Sequence, residues 1–240
     1  MTQIGTRNEA TRHAWVEQSL QQLPAGWRLL DAGAGEQRYR RFCSHLKYVA
    51  QDFAKYDGKG DGRGLHTGVW SQSQLELVCD ITAIPEPDSA FDAILCTEVL
   101  EHIPSPVLAL QEFARLLRPA GQLILTAPFV SFTHFAPYHY CTGFNRYFYE
   151  AHLPACGFKI AEISTNGDFF ELLAQELRRL PEMAARYANE RPHRLDRWAM
   201  ALLLRLMERC SRVDTGSSEF ASCGLHVRAI RQPASKPAAP

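Results

Sequence analysis

The run Leu29-Leu30-Asp31-Ala32-Gly33-Ala34-Gly35-Glu36 (residues 29–36) determines the architecture that we predict for the chain. An apolar segment leads here straight into a DxGxG turn. Glycine adopts backbone conformations closed to other residues and lets a ligand approach the main chain. We therefore predict a buried strand over residues 27–32, a ligand-binding turn at its carboxyl end and a helix after Glu36.

Short apolar runs alternate with helical patterns along the rest of the chain. This alternation is typical of βαβ units and a parallel α/β sheet. Further strands are predicted at residues 47–51, 75–79, 91–96, 121–127, 158–164 and 224–230. Helices are predicted at residues 8–22, 106–117, 146–155, 168–188 and 194–209, and a glycine-rich surface loop at 58–64.

Two more of the predicted strands end on an aspartate. Asp52, followed by Phe53, lies about 20 positions after the first strand, where a carboxylate can accept both hydroxyls of a ribose. Asp80 follows the third strand, where it can accept the exocyclic amine of adenine while Ile81 packs on the ring. Each signal alone also fits a turn or a helix cap. Their order along three successive strands favours an adenosine site.

The segment from residue 29 to about 163 resembles the class I S-adenosylmethionine-dependent methyltransferases, in their small-molecule, domain 11-like type. The resemblance is most specific in FDAILCTEVLEHI (91–103) and continues through EFARLLRPAGQLILTAPF (112–129) and CGFKIAEI (156–163). It implies a Rossmann-like, mostly parallel seven-stranded sheet with helices on both faces and an antiparallel last strand.

The resemblance also implies which residues hold the cofactor, S-adenosyl-L-methionine. Gln37 stands where the family usually has a third glycine, which puts the detail of the methionine contact in question. Arg7 or Arg12 is a candidate for the cofactor carboxylate, with a solvated helix face as the alternative. The implied contacts are Asp31, Gly33 and Gly35 near the methionine part, Asp52 and Phe53 at the ribose, Asp80 and Ile81 at the adenine, and Cys96, Thr97 and Glu98 at the next strand end.

The loop at residues 129–146 is predicted to form the acceptor side, because it is long, aromatic and rich in histidine. His134 and His139 are the candidates for proton transfer, since imidazole titrates near neutral pH, and hydrogen bonds that hold the loop are the alternative. Glu101 is expected to fix a turn, with proton uptake as the alternative, and His102 to make structural hydrogen bonds at a strand-to-helix junction. Candidates for the pocket wall or for acceptor binding are Phe132, Phe135, Tyr138, Tyr140, Asn145 and Arg146.

The composition is that of an ordinary globular protein. Lys+Arg and Asp+Glu both number 26 in 240 residues, so the net charge favours no nucleic-acid partner. Seven scattered cysteines without a CxxC pair favour reduced thiols in the cytoplasm, and we predict no metal site. A single domain is expected over residues 1–232, with a helical insertion at about 168–212 and a disordered tail at 233–240. No segment is predicted to span a membrane.

Five arginines recur along one face of the last predicted helix, opposite leucines and a tryptophan. The simplest interpretation is a helix packed on the domain with a basic outer face. A lid over the acceptor, a contact between two copies and a peripheral contact with an anionic membrane are the alternatives. The arginines are Arg194, Arg197, Arg205, Arg209 and Arg212.

These observations favour a transferase that methylates a small-molecule or cell-envelope-related acceptor. A nicotinamide-dependent oxidoreductase shares the glycine turn and the downstream acid, but positions 33, 35 and 38 read Gly, Gly and Arg and do not complete GxGxxG. The other alternative is a degenerate methyltransferase-like domain that binds or assists without turnover. A cofactor titration distinguishes the transferase from the oxidoreductase. An acceptor screen distinguishes an active transferase from a degenerate domain that binds cofactor without turnover.

Overall fold

A central β-sheet organises the molecule, whose computed structural model describes residues 2–65, 68, 70 and 74–233. Its strands are β1 Arg28–Ala32, β2 Lys47–Asp52, β3 Leu77–Val78, β4 Phe91–Thr97, β5 Leu117–Pro128, β6 Phe158–Asn166 and β7 Gly224–Arg231. They form a seven-stranded sheet in the order β3-β2-β1-β4-β5-β7-β6. The first five strands run parallel, and β7 is antiparallel to both β5 and β6. The predicted fold class is confirmed.

In the described part of the chain five α-helices surround the sheet, and polar caps set the start of two of them. The helices are α1 Asn8–Gln21, α2 Pro106–Leu116, α3 Arg146–Ala155, α4 Phe169–Met183 and α5 Arg194–Arg212. Asn145 accepts a hydrogen bond from the Phe148 amide at the start of α3. Asp168 accepts one from the Glu171 amide at the start of α4, at 2.8 Å. Such caps satisfy amides that have no partner within the helix.

The two faces of the sheet carry separate apolar layers, because successive side chains of a strand point to opposite sides. Leu29 packs with Val16 and Leu20 of α1 on one face. Leu30 packs with residues of α2, among them Phe113, on the other. Helices therefore cover both faces, and the ends of the strands remain for a site.

The strand order places a crevice at the carboxyl ends of β1 and β4. The chain proceeds from β1 outward to β2 and β3, and then crosses over to β4 on the other side of β1. Ligands of open α/β sheets bind where the strand order reverses in this way. We therefore expect the functional residues to lie at this edge of the sheet.

The predicted helix after Glu36 is wrong. Residues 36–39 form turns, and between β1 and β2, where every residue is described, the only helical element is a 3-10 turn at Arg40–Phe42. Gln37 has a φ of +56°, in the left-handed region. A non-glycine residue in this conformation ends helical geometry, so the hydrogen bonds that follow it span three residues instead of four.

The helices α4 and α5, which span most of the predicted helical insertion, contact each other. The expectation that the apolar side of α5 packs on the domain is wrong for much of its length. No residue of this fully described helix is buried, and Leu195 and Trp198 are 80% and 64% exposed. None of the helices in the described ranges is long and apolar enough to cross a bilayer. Residues 234–240 of the predicted tail lie outside the described part.

Candidate active site

Backbone hydrogen bonds join the DxGxG turn to the end of β2. The amides of Gly33 and Ala34 donate to the Gln51 carbonyl at 2.9 and 2.8 Å. The Gly35 amide donates to Asp52 Oδ2 at 2.9 Å. The ends of β1 and β2, which the sequence predicts to form one site, therefore lie side by side.

The third strand end joins the same edge. The Cys79 amide donates to the Asp52 carbonyl at 3.1 Å, and Gln51 Nε2 donates to the Cys79 carbonyl at 2.7 Å. Asp80 follows directly. Its Oδ1 accepts hydrogen bonds from the Thr82 amide and hydroxyl, which lower the pKa of the Asp80 carboxyl despite some burial. All three predicted strand ends are brought together.

The aspartates on β1 and β2 are already engaged within the protein. Asp52 is 5% exposed, and its Oδ1 accepts from the Ala54 amide at 2.9 Å. Asp31 is buried and accepts a hydrogen bond from the Tyr48 hydroxyl across the β1–β2 pair. Burial raises the pKa of Asp31 to about 7. Asp31 thus holds two strands together, whereas Asp52 shapes the glycine turn.

The two glycines of the turn are required by what lies against them. A Cβ on Gly33 would come within 2.5 Å of Val99 Cγ2, and one on Gly35 within 2.9 Å of the Trp70 ring. Both glycines have positive φ, of +77° and +50°. The turn therefore has no room for a side chain at either position, and its bare backbone allows the close contact that a cofactor requires. The Trp70 indole covers Gly35 in this conformation.

Two loops form a cover over this edge of the sheet. Residues 53–65 are joined to residues 129–145 by hydrogen bonds from the Leu65 amide to the Thr133 carbonyl and from the Phe135 amide to the Leu65 carbonyl, at 3.1 and 3.0 Å. The Phe135 ring stacks on Tyr56 and meets Trp70 edge-on. The loop predicted to be functional therefore contacts the region of the glycine turn.

The end of β4 carries a partly buried ion pair. Arg12 of α1 donates to Glu98 Oε2 at 2.9 Å, and the Thr126 hydroxyl donates to Glu98 Oε1 at 2.9 Å. The side chains of Arg12 and Glu98 are only 17% and 29% exposed. The solvated-face alternative for Arg12 is wrong, whereas Arg7, with its side chain 65% exposed, pairs with Glu171. The neighbouring Cys96 is buried, which raises the pKa of its thiol.

A cluster of Glu101, His102, His134 and His139, here called the histidine–glutamate cluster, lies next to this pair. Glu101 Oε1 is 3.7 Å from both His102 Nε2 and His134 Nε2. The His139 ring centroid is 4.8 Å from that of His134. Sequence reasoning singled out His134 and His139 and missed the role of Glu101, whose burial could not be read from the chain.

Burial controls the protonation of this cluster. It raises the pKa of Glu101, which is fully buried, and lowers that of His102 to about 3. Burial also lowers the pKa of His139, with help from the adjacent His134. At His134 burial opposes the charge, but Glu101 and the Phe132 carbonyl outweigh it and raise the pKa. The cluster can hold a proton away from bulk water.

A cavity of about 270 Å³ opens beside the cluster. Its walls come from the ends of β4 and β5, the loop at residues 129–145 and α4. Of the predicted acceptor-side residues, Phe132, His134 and Phe135 line it, whereas Asn145 and Arg146 line a separate hollow beside α3. The lining residues include Glu98, Glu101, Ser131 and His134.

The sheet order and this edge match a known family. Residues 30–125 match the family model described as "Methyltransferase domain". These residues therefore form a methyltransferase domain, and the sheet has the class I fold of S-adenosylmethionine-dependent methyltransferases. The matched segment contains the glycine turn, the three strand ends and Glu101, whereas His134 and His139 lie beyond it.

Two curated relatives of the methyltransferase domain are informative. A ubiquinone biosynthesis O-methyltransferase of Xanthomonas oryzae is 35% identical over 105 residues, which are 42% of this chain and 43% of the relative. A tRNA (carboxymethyluridine(34)-5-O)-methyltransferase of Mus musculus is 30% identical over 130 residues, which are 51% of this chain and 18% of the relative. The chain thus spans less than half the length of either relative.

Solved structures share the fold over nearly the whole chain. A methyltransferase dependent on S-adenosylmethionine from Archaeoglobus fulgidus has a TM-score of 0.57 at 13% identity, with 93% of this chain and 94% of that chain covered. The [4+2]-cyclase SpnF has a TM-score of 0.54 at 20% identity, with 93% and 81% covered. Because the second of these is named as a cyclase, the fold alone does not establish what the site does.

Proposed function

We propose that this protein transfers a methyl group from S-adenosylmethionine to an oxygen atom of a small-molecule acceptor that enters the 270 Å³ cavity. One observation carries the proposal. Glu98 belongs both to the strand end expected to line the cofactor and to the wall of the cavity, which also includes Glu101 and His134 of the histidine–glutamate cluster. An acceptor there lies close to the cofactor and to groups that handle protons. The names of the two curated relatives, both O-methyltransferases, support oxygen as the acceptor atom.

The strand ends fit the cofactor through the groups that they present. We assign Asp31, Gly33 and Gly35 to its methionine side, Asp52 and Phe53 to its ribose, Asp80 and Ile81 to its adenine, and Cys96, Thr97 and Glu98 to the next strand end. The carboxylate oxygens of Asp52 each accept one backbone hydrogen bond, and a carboxylate oxygen can accept a second. The Trp70 ring must move from Gly35 to admit the cofactor.

The cofactor supplies an activated methyl group, so the protein needs only to align the acceptor, exclude water and take up a proton. The loops at residues 53–65 and 129–145 exclude water. Of the two candidate histidines, we propose His139 as the proton acceptor. Its Nε2 lies 3.2 Å from the hydroxyl of Ser131, which lines the cavity, whereas Nε2 of His134 is directed at Glu101. The lowered pKa of His139 keeps the ring neutral and able to accept.

The Asp52→Ala variant is expected to bind S-adenosylhomocysteine more than tenfold more weakly, because a ribose hydroxyl loses a charged acceptor worth about 1.5–3 kcal/mol. Isothermal titration calorimetry measures the change. Asp88→Ala is the matched control, since Asp88 precedes β4 at the opposite edge of the sheet, with 78% of its side chain exposed. Equal affinity of Asp52→Ala and the parent protein would contradict the ribose assignment.

The His139→Gln variant is expected to lower kcat for a hydroxyl acceptor at least about tenfold while the affinity for S-adenosylhomocysteine stays within twofold. A screen of hydroxylated small molecules, read as S-adenosylhomocysteine formed, identifies the acceptor first. His152→Gln, on α3, is the control. If the parent protein binds cofactor but turns over no acceptor, the alternative of a degenerate binding or accessory domain is favoured.

A further inference from the structure

We propose that Glu101, His102 and His134 form a binding site for one divalent transition-metal ion at the wall of the acceptor cavity. Each residue offers one ligand atom, and these atoms lie within 4.8 Å of one another. Two imidazole nitrogens and one carboxylate oxygen are a donor set that suits Zn²⁺, Fe²⁺, Mn²⁺ and Co²⁺. The site is distinct from the residues assigned to the cofactor.

The carboxylate of Glu101 is the first observation that requires an explanation. The residue is fully buried, and among the described residues neither Oε1 nor Oε2 has a hydrogen-bond partner. Leaving a buried carboxylate without a partner is costly. Its Oε1 is 3.7 Å from each histidine Nε2, which is too long for a hydrogen bond but leaves room for an ion between the three atoms.

The orientation of the two histidines is the second observation. His102 Nδ1 faces the Tyr138 carbonyl and His134 Nδ1 faces the Phe132 carbonyl, at 2.5 and 2.9 Å. A carbonyl only accepts, so Nδ1 carries a proton in both rings, and in the neutral form of each ring the lone pair of Nε2 is directed toward Glu101. A backbone carbonyl on the distal nitrogen is the usual support of a histidine that binds a metal.

The neighbouring Glu98 is not a fourth ligand in this arrangement, because Arg12 and Thr126 already donate to its two oxygens. Three protein ligands leave an open coordination position, as catalytic metal sites do. Glu101 and His134 both line the cavity, so this position faces the acceptor. There an ion lowers the pKa of an acceptor hydroxyl, whose proton passes to His139. This role rests on the proposed function, whereas binding of the ion does not.

The test uses the full chain, stripped with EDTA and titrated with Zn²⁺ or Co²⁺ by calorimetry. One ion is expected to bind per chain, and Glu101→Gln and His134→Gln are each expected to weaken binding at least tenfold. His152→Gln, outside the cluster, is expected to bind as the parent does. A stoichiometry well below one, or equal affinity in Glu101→Gln, would overturn the site.

A second measurement on the unaltered chain guards against a variant that fails to fold. Bound Zn²⁺ is expected to protect His134 from modification by diethyl pyrocarbonate, read at residue level by mass spectrometry, and unchanged labelling of His134 would overturn the site. Affinity for S-adenosylhomocysteine in EDTA separates the two proposals. If it persists while no ion binds, only the metal site fails. If an ion binds but no cofactor does, only the proposed function fails.

Discussion

The Arg12→Ala variant is expected to lower the free energy of unfolding by about 2–3 kcal/mol, because it leaves Glu98 with its charge in a largely buried position. Removal of one partner of a fully buried pair costs about 3–5 kcal/mol, and the remaining exposure of this pair places the expected loss somewhat lower. Urea unfolding followed by circular dichroism measures the loss.

Arg7→Ala provides a matched control, because Arg7 directly precedes α1, the helix that contains Arg12. Arg7 also pairs with a glutamate, Glu171, but its side chain is 65% exposed and Glu171 keeps a hydrogen bond from the Gly5 amide. We expect a loss of at most about 1 kcal/mol. The combination Arg12→Ala with Glu98→Gln is expected to recover part of the loss, because the remaining side chain is uncharged. If Arg12→Ala and Arg7→Ala cost the same, the Arg12–Glu98 pair does not have the strength assigned to it.

The Gly33→Ala variant is expected to lower the free energy of unfolding by about 3 kcal/mol and to impair cofactor binding. The left-handed backbone at this position costs an alanine about 1–2 kcal/mol. The new Cβ also meets Val99 Cγ2 at 2.5 Å, and overpacking of this kind costs about 1–3 kcal/mol. Urea unfolding gives the first effect, and titration with S-adenosylhomocysteine gives the second.

Gly26→Ala separates the two costs at Gly33. Gly26 has a φ of +82°, but a Cβ there meets no atom within 4 Å. This control is therefore expected to lose only about 1–2 kcal/mol. Val99→Ala is expected to relieve the clash, so the loss from Gly33→Ala should be smaller in the Val99→Ala background than in the parent. Equal losses in both backgrounds would show that Val99 does not press on the turn.

Much of the fold could be predicted because strand and helix periods are local properties of the chain. Leu29 and Leu30 point to opposite layers, as alternation along a buried strand requires. The helix after Glu36 could not be excluded in this way, because the left-handed conformation of Gln37 is not visible in its residue type. The third strand is shorter than predicted and comprises Leu77–Val78 instead of residues 75–79. It lies at the edge of the sheet, where among the described residues it pairs with β2 alone.

The candidate site was predictable where it depends on strand ends and not where it depends on loop contacts. Gly33, Gly35, Asp52 and Asp80 meet at one edge because parallel strands bring their carboxyl ends together. The approach of Glu101 to His134, more than 30 positions later, depends on how the loop at residues 129–145 folds back. No local pattern encodes such a contact, so Glu101 was interpreted as a turn residue.

The hydrogen bonds between the two covering loops have a kinetic consequence. The Trp70 ring meets Phe135, and Phe135 is hydrogen-bonded to Leu65 of the other covering loop, so the proposed displacement of the indole from Gly35 is expected to alter the wall of the acceptor chamber, which Leu65 and Phe135 line. We therefore expect a compulsory order of addition in which the nucleoside ligand enters first and the chamber takes its final shape afterwards. Product-inhibition patterns distinguish this sequence from random entry.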